Sequence, residues 1–366
     1  MKITVSQSTL IKNLELVGKI ATKHATLPVL QCVLVQVAEG SVTLKVTNLE
    51  IAAEVQLTDV EVSGEGAVAV PASVLLQTIQ QLKSDQITLE LLDSGVVQIS
   101  TKSTTTTINT IPHDEFPTIP KIASDKIVIN GRQFALGIKT AAIAASQSSI
   151  KPELGSVYIH QKKEHTMTFV ATDSFRLMEK TVAQKGVVFD TTILIPQKNA
   201  VELARFCEVL ESDPELCVTD DQCALSFSEG VYITTRLITG TFPDYNAIIP
   251  KEFVTTSTIV KHDLLTTLKK TNIFLNKFRQ VRFAVKATQI EVSSQNNEVG
   301  TVKDVISAQS EGEELELSFN QQYVSDPLPL IQDDSLYLQF AGIGRPMVIT
   351  GVNDKNLRYL VMPMNK

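Results

Sequence analysis

The chain has 366 residues, 43% hydrophobic and 20% charged, with a net charge of −7 at pH 7. That length exceeds a usual single core and implies two or three domains, while the composition excludes a disordered or fibrous chain. No apolar run approaches the roughly 18 residues that span a bilayer, and "MKITVSQSTL" lacks the apolar centre of a signal peptide, so a cytoplasmic protein with no membrane partner is expected.

In chain order, residues 8–20 place Leu10, Leu14 and Val17 at helical spacing. The stretch "VLVQVAEGSVTLKVTNLEIAAEVQL" then alternates in steps of two around turn residues, as antiparallel strands do. A strand "GAVAV" leads to a helix with Pro71 as its first residue, where the missing N–H is harmless, and "QITLELL" and "VVQIST" add two strands. The outline then recurs. Ile3 matches Ile127, Pro71 matches Pro196, and Phe116-Pro117 matches Phe242-Pro243. Thr47, Asn48 and Glu54 of "VTNLEIAAEV" match Thr172, Asp173 and Glu179 of "ATDSFRLMEK", each pair 125 residues apart. Beyond residue 253, "STIVKHDLLTTLKKTN" follows the pattern of "DKIVINGRQFALGIKTA", and "IEVSSQNNEVGTV" takes the place of strand, turn and strand. The expected architecture is therefore α+β, with three tandem domains at 1–124, 125–253 and 254–366, each of two halves containing a helix and several antiparallel strands.

The net charge argues against a nucleic-acid partner, but its distribution argues for one. Windows 6–24, 131–151 and 261–279 hold eleven Lys or Arg against two acidic residues, net +9, which leaves −16 for the rest. Lys12 and Lys19, Arg132 and Lys139, and Lys198 and Arg205 are each seven residues apart, so each pair shares a helix face, and Lys23 continues the first stripe. A lone basic face is usually only solvated; matching faces on equivalent helices of a repeat point to one positive surface.

Cys32, Cys207, Cys217 and Cys223 form no C-x-x-C pair and have no histidine at metal-ligand spacing, so reduced structural thiols and no metal are expected. No P-loop, nucleophile elbow, H-E-x-x-H or dinucleotide fingerprint occurs, so neither catalytic residues nor a cofactor are expected. His160 and His165 read as surface or turn residues, and Asp173 as a turn cap.

In combination, "MKITV", "TLPVL", "VTNLE", "VATDSFRL", "LIPQKNAVEL", "TFPDYNAIIP", "NKFRQVRF" and "YLVMPMNK" resemble the bacterial DNA polymerase III beta subunit, the sliding clamp, over essentially the whole chain. The resemblance implies three DNA-clamp domains per chain and two chains closing head to tail into a homodimeric ring. Helices would line the hole and sheets the outer wall. It implies a processivity factor that encircles double-stranded DNA without reading sequence. Partners would be the replicative polymerase, the clamp loader and repair proteins, held through short peptide motifs, in the nucleoid-associated cytoplasm.

Carried over by position, the DNA-facing residues are Lys12, Lys19, Lys23, His24, Arg132, Lys139, Gln147, Lys151, Lys198 and Arg205, with His24 where the family often has a full cation. The partner groove would gather Leu154, Thr172, Ser174, Phe175, Arg176, Leu177, Pro243, Ile248, Tyr323, Pro346, Met362, Pro363 and Met364. Ser174 stands where glycine is common in the family, and Phe175 where His or Tyr is common. The dimer seam would oppose Ile273 and Phe274 to an edge strand around Thr106 in the run Thr104 to Thr107. Two rivals remain open from the residues alone: an enzyme, which nucleotide turnover would reveal, and a repeat adaptor that never encloses DNA.

Overall fold

Among the described residues six α-helices alternate with antiparallel strands, and local capping accounts for some of their ends. The computed structural model describes residues 1–21, 27–148, 150–188 and 191–364. Helix α1 (Gln7–Gly18) starts where the Ser6 hydroxyl accepts the N–H of Thr9 at 3.1 Å, and it buries Leu10, Leu14, Leu16 and Val17. It ends earlier than the periodicity predicts, because Gly18 weakens the last turn and the N–H of Ile20 bonds back to Val17 O at 3.0 Å. Helix α2 (Ala72–Gln81) buries Ala72, Leu75 and Ile79. Pro71 is not its first residue: with ψ 116° it ends the strand Gly66–Pro71 opposite Cys32, on a sheet edge where a missing donor is tolerated. The others are α3 (Gly131–Ala142), α4 (Gln197–Val209), α5 (Lys261–Thr271) and α6 (Gln321–Ser325). The last is only five residues long, so the sixth half keeps little more than one helical turn, capped by Asn320.

The chain divides into two units, one of residues 1–135 and 202–237, the other of 136–201 and 238–366. The first contains a five-stranded sheet in the order Glu61–Ser63, Lys2–Ser6, Gln86–Leu91, Val96–Ser100, Thr105–Asn109. Its second sheet has eight strands, in the order Lys126–Val128, Glu215–Val218, Gln222–Phe227, Val231–Arg236, Ile51–Leu57, Ser41–Thr47, Cys32–Ala38, Gly66–Pro71. Strands of the first and second repeats thus share one sheet, joined where Ile51–Leu57 pairs with Val231–Arg236.

The other unit holds a twelve-stranded sheet. It runs Ile193–Pro196, Ser156–His160, Thr166–Thr172, Arg176–Ala183, Leu357–Val361, Met347–Gly351, Ser335–Phe340, Thr255–Val260, Gly300–Gly312, Gln289–Asn296, Gln280–Val285, Leu315–Asn320. Here the second repeat joins the third, through Arg176–Ala183 against Leu357–Val361. One face of that junction buries Val170, Leu177, Leu194, Phe242, Tyr245, Val348 and Leu360.

The four cysteines are free and buried, and burial pushes the thiols of Cys32 up to about 11 and of Cys223 up to about 12. Among the described residues no helix is long and apolar enough to cross a membrane.

Candidate peptide groove and nucleic-acid interface

The turn of "ATDSFRL" is built by its own side chains. Thr172 Oγ1 donates to Arg176 O at 2.7 Å and accepts the N–H of Ser174 at 3.2 Å. Asp173 Oδ1 accepts the N–H groups of Phe175 and Arg176 at 2.9 and 3.0 Å, which is the capping role expected of it. Ser174 sits at φ +77°, a left-handed conformation that glycine adopts without strain, and Phe175 is left 62% exposed. "VTNLEI" builds the same turn: Asn48 Oδ1 accepts from Glu50 and Ile51 at 3.0 and 2.9 Å, and Leu49 has φ +76°.

Arg176 is held from three sides. Nε donates to Asp173 at 3.0 Å, Nη1 donates to Asp326 at 2.5 Å, and the guanidinium lies 4.3 Å from the Tyr323 ring centroid. Burial alone would lower its pKa, but Tyr359, Asp326 and Asp173 hold it raised, so the group is a permanent cation already matched by acids. Leu177 is fully buried beside Leu360, and Met362 packs against the same cluster. The C-terminal segment is pinned at two points, Met362 N–H to Phe175 O at 2.8 Å and Met364 N–H to Ser318 O at 2.7 Å. Pro346, Pro363 and Met364 are half-buried and Pro243 is exposed, while Ile248 is 50% exposed. Leu154 is buried, and its carbonyl accepts the N–H of Ser146 at 2.8 Å.

Sequence reasoning missed what lies beneath Pro243 and Ile248. Phe242 stacks on Tyr158 with centroids 4.7 Å apart, and the Tyr245 hydroxyl lies 2.9 Å from His160 Nε2. Lys162 pairs with Glu179 under the same tyrosine. His160 is therefore a half-buried residue of a strand rather than a surface one, whereas His165 does sit in a turn at φ +60°. Asp326 carried no signal at all, since its partner is 150 residues away.

On the helices, Lys12, Lys19, Arg132, Lys139 and Lys198 are exposed, as are Gln147 and Lys151 beyond α3; Lys23 and His24 lie outside the described residues. Arg205 differs. Its Nη2 donates to Leu16 O at 2.5 Å and to Glu202 at 2.6 Å, so it caps the carbonyl end of α1 and its charge is matched locally. In the third basic window Lys270 pairs with Asp304, and Lys261 Nζ donates to Ile331 O.

Several strand edges are open among the described residues, and two of them carry the residues of the expected seam. Thr105–Asn109 ends the five-stranded sheet, with Thr106 half-buried. Gly300–Gly312 pairs with Thr255–Ile259 only from Ala308 onward, which leaves one edge of residues 300–307 unpaired. Beside it Ile273 is 67% exposed, and Phe274 is half-buried against Gly300.

Comparison with known proteins covers nearly the whole chain. Three family models cover the chain: the N-terminal domain of the DNA polymerase III beta subunit over residues 1–120, its central domain over 128–244 and its C-terminal domain over 246–365. The beta sliding clamp of Rickettsia bellii is 25% identical over 378 residues, spanning 100% of this chain and 99% of its own. The crystal structure of the DNA polymerase III beta subunit of Thermotoga maritima superposes with a TM-score of 0.94 at 25% identity, covering 100% of this chain and 99% of that one. The Pseudomonas aeruginosa sliding clamp bound to griselimycin, at 22% identity and full coverage of both chains, shares the fold with a TM-score of 0.91. Three such α+β domains in tandem define a DNA clamp. The chain belongs to the DNA polymerase III beta subunit family, the beta sliding clamps, and is a non-catalytic processivity factor of DNA replication.

Proposed function

We propose that two copies, each with clamp domains at 1–124, 125–253 and 254–366, close head to tail into a ring around double-stranded DNA in the nucleoid-associated cytoplasm. The exposed cations Lys12, Lys19, Arg132, Lys139 and Lys198 hold phosphates without selecting sequence. The surface around Phe175, Ile248 and the pinned C-terminal segment takes short peptide motifs of the polymerase, the clamp loader and repair proteins. Exposed apolar groups on a rigid frame, with flexible Met362 and Met364, suit a site that accepts several partners.

The observation that carries the ring reading is the pair of open edges, Thr105–Asn109 and residues 300–307, with Ile273 exposed beside the second. Each is a template for a further strand, and pairing one with the other in a second copy removes both. Small-angle X-ray scattering with in-line light scattering tests it. The expected result is twice the 40.1 kDa chain mass with a distance distribution that demands a central hole. Ile273→Asp, which places a charge in the seam, is expected to leave folded monomers; a monomeric wild type at all concentrations would sink the ring.

A further inference from the structure

The proposed function leaves "VTNLEIAAEV" without a role, although the strands around it repeat the frame around "ATDSFRLMEK" residue for residue. Ile51, Ala52 and Glu54 pair with Thr235, Thr234 and Tyr232, as Arg176, Leu177 and Glu179 pair with Val361, Leu360 and Arg358. Arg236 donates its N–H to Glu50 O at 2.9 Å, as Met362 does to Phe175 O at 2.8 Å. The linker after each half is tied to its edge strand alike, Ile111 N–H to Ala69 O at 3.0 Å and Ile238 N–H to Leu194 O at 2.9 Å.

Between this turn, its linker and the strand Val231–Arg236 lies a hollow of about 190 Å³. Its floor holds Ala52 and Thr234, where the other frame has the larger Leu177 and Leu360. The Thr234 hydroxyl is already bonded to Cys223 O at 3.2 Å, so the floor offers no free polar group there. Leu49, 46% exposed, and buried Ile119 form an apolar wall. At the rim stands exposed Arg236, in the place of Met362, with no ion pair among the described residues.

We propose that this hollow is a second peptide site, which takes one aliphatic side chain of an extended segment from a partner protein together with an adjacent carboxylate on Arg236. The volume admits one such side chain and not a drug-sized ligand. An unmatched guanidinium beside the apolar wall of Leu49 and Ile119, in a chain of net charge −7, selects an acid, while exposed Glu50 on the same rim disfavours a second one. The inference borrows from the groove reading only the analogy of frame; its residues are separate.

The test is methyl NMR on the full chain with labelled Ile and Leu, titrated with the peptide acetyl-Leu-Asp-Leu-Asp-amide. Saturable shifts are expected at Leu49 and Ile119, and Arg236→Glu is expected to weaken them about tenfold or more while shifts at Leu177 and Ile248 stay as in the wild type. Leu49 and Ile119 silent at millimolar peptide, or an Arg236→Glu chain that titrates like the wild type, would overturn the second site. Silence at Leu177 and Ile248 alone would overturn the groove reading and leave the second site standing.

Discussion

At His160, burial and a neighbouring tyrosine decide a protonation state. Burial pushes the imidazole below its ordinary 6.5, Lys162 pushes the same way, and Glu179 opposes them. Tyr245 is pushed up, chiefly by burial, so its hydroxyl stays neutral, and its contact with His160 Nε2 at 2.9 Å is one between a phenol and a neutral ring. As pH falls, the unfolded chain takes up the proton first. The stability from this neutral contact is therefore full above about pH 6.5 and is lost as pH drops below that value. His160→Gln removes the titration, so between pH 7.5 and 5.5 urea unfolding is expected to show the wild type losing more stability than the variant; parallel losses would exclude this role for the ring. Because Tyr245 seats the linker that carries Pro243 and Ile248, acid is also expected to loosen that side of the groove.

At the scale of elements, close packing limits what each can accept. A Cβ on Gly137 of α3 would stand 2.3 Å from the fully buried Phe169 ring in the strand Thr166–Thr172. Gly137→Ala would gain about 1 kcal/mol of helix propensity, but the ring is enclosed and cannot yield, so overpacking of roughly 1–3 kcal/mol or more wins. A lowered thermal midpoint is expected, and a raised one would show that α3 can shift. That glycine could not be read as a contact point, since in sequence it only interrupts a helical pattern. The helices, the alternating strands and the 125-residue repeat were legible because each is written in local periodicity. Pro71 and α6 were not, because a sheet edge and the packing of a five-residue helix are set by residues far away in the chain. The site divides the same way. The turn around Asp173 is local and could be read, whereas Asp326 on Arg176 and Tyr245 on His160 join positions 150 and 85 residues apart.

For the whole molecule, the positive surface is thinner than a residue count implies. The basic windows sum to +9, but Lys270 is paired with Asp304, Lys261 is held by Ile331 O and, outside the windows, Arg205 caps α1; Lys12, Lys19, Arg132, Lys139, Lys151 and Lys198 stay exposed, with Lys269, Lys277 and Arg279 in the third window. Each phosphate contact contributes about 0.9 to the slope of log affinity against log salt, so a handful of cations gives binding that moderate salt dissolves. In the proposed ring, retention on DNA then comes from closure. On linear duplex, Lys12→Ala with Lys19→Ala is expected to lower the salt slope by up to about 2, whereas Arg205→Ala is expected to leave the slope unchanged and to destabilise the fold. On a nicked circle loaded by a clamp loader, both variants and the wild type are expected to survive salt that strips them from linear DNA, and to be released once the circle is cut. Loss from intact circles at the same salt as from linear DNA would mean that the cations, and not topology, hold the partner, and the ring would have no part in processivity.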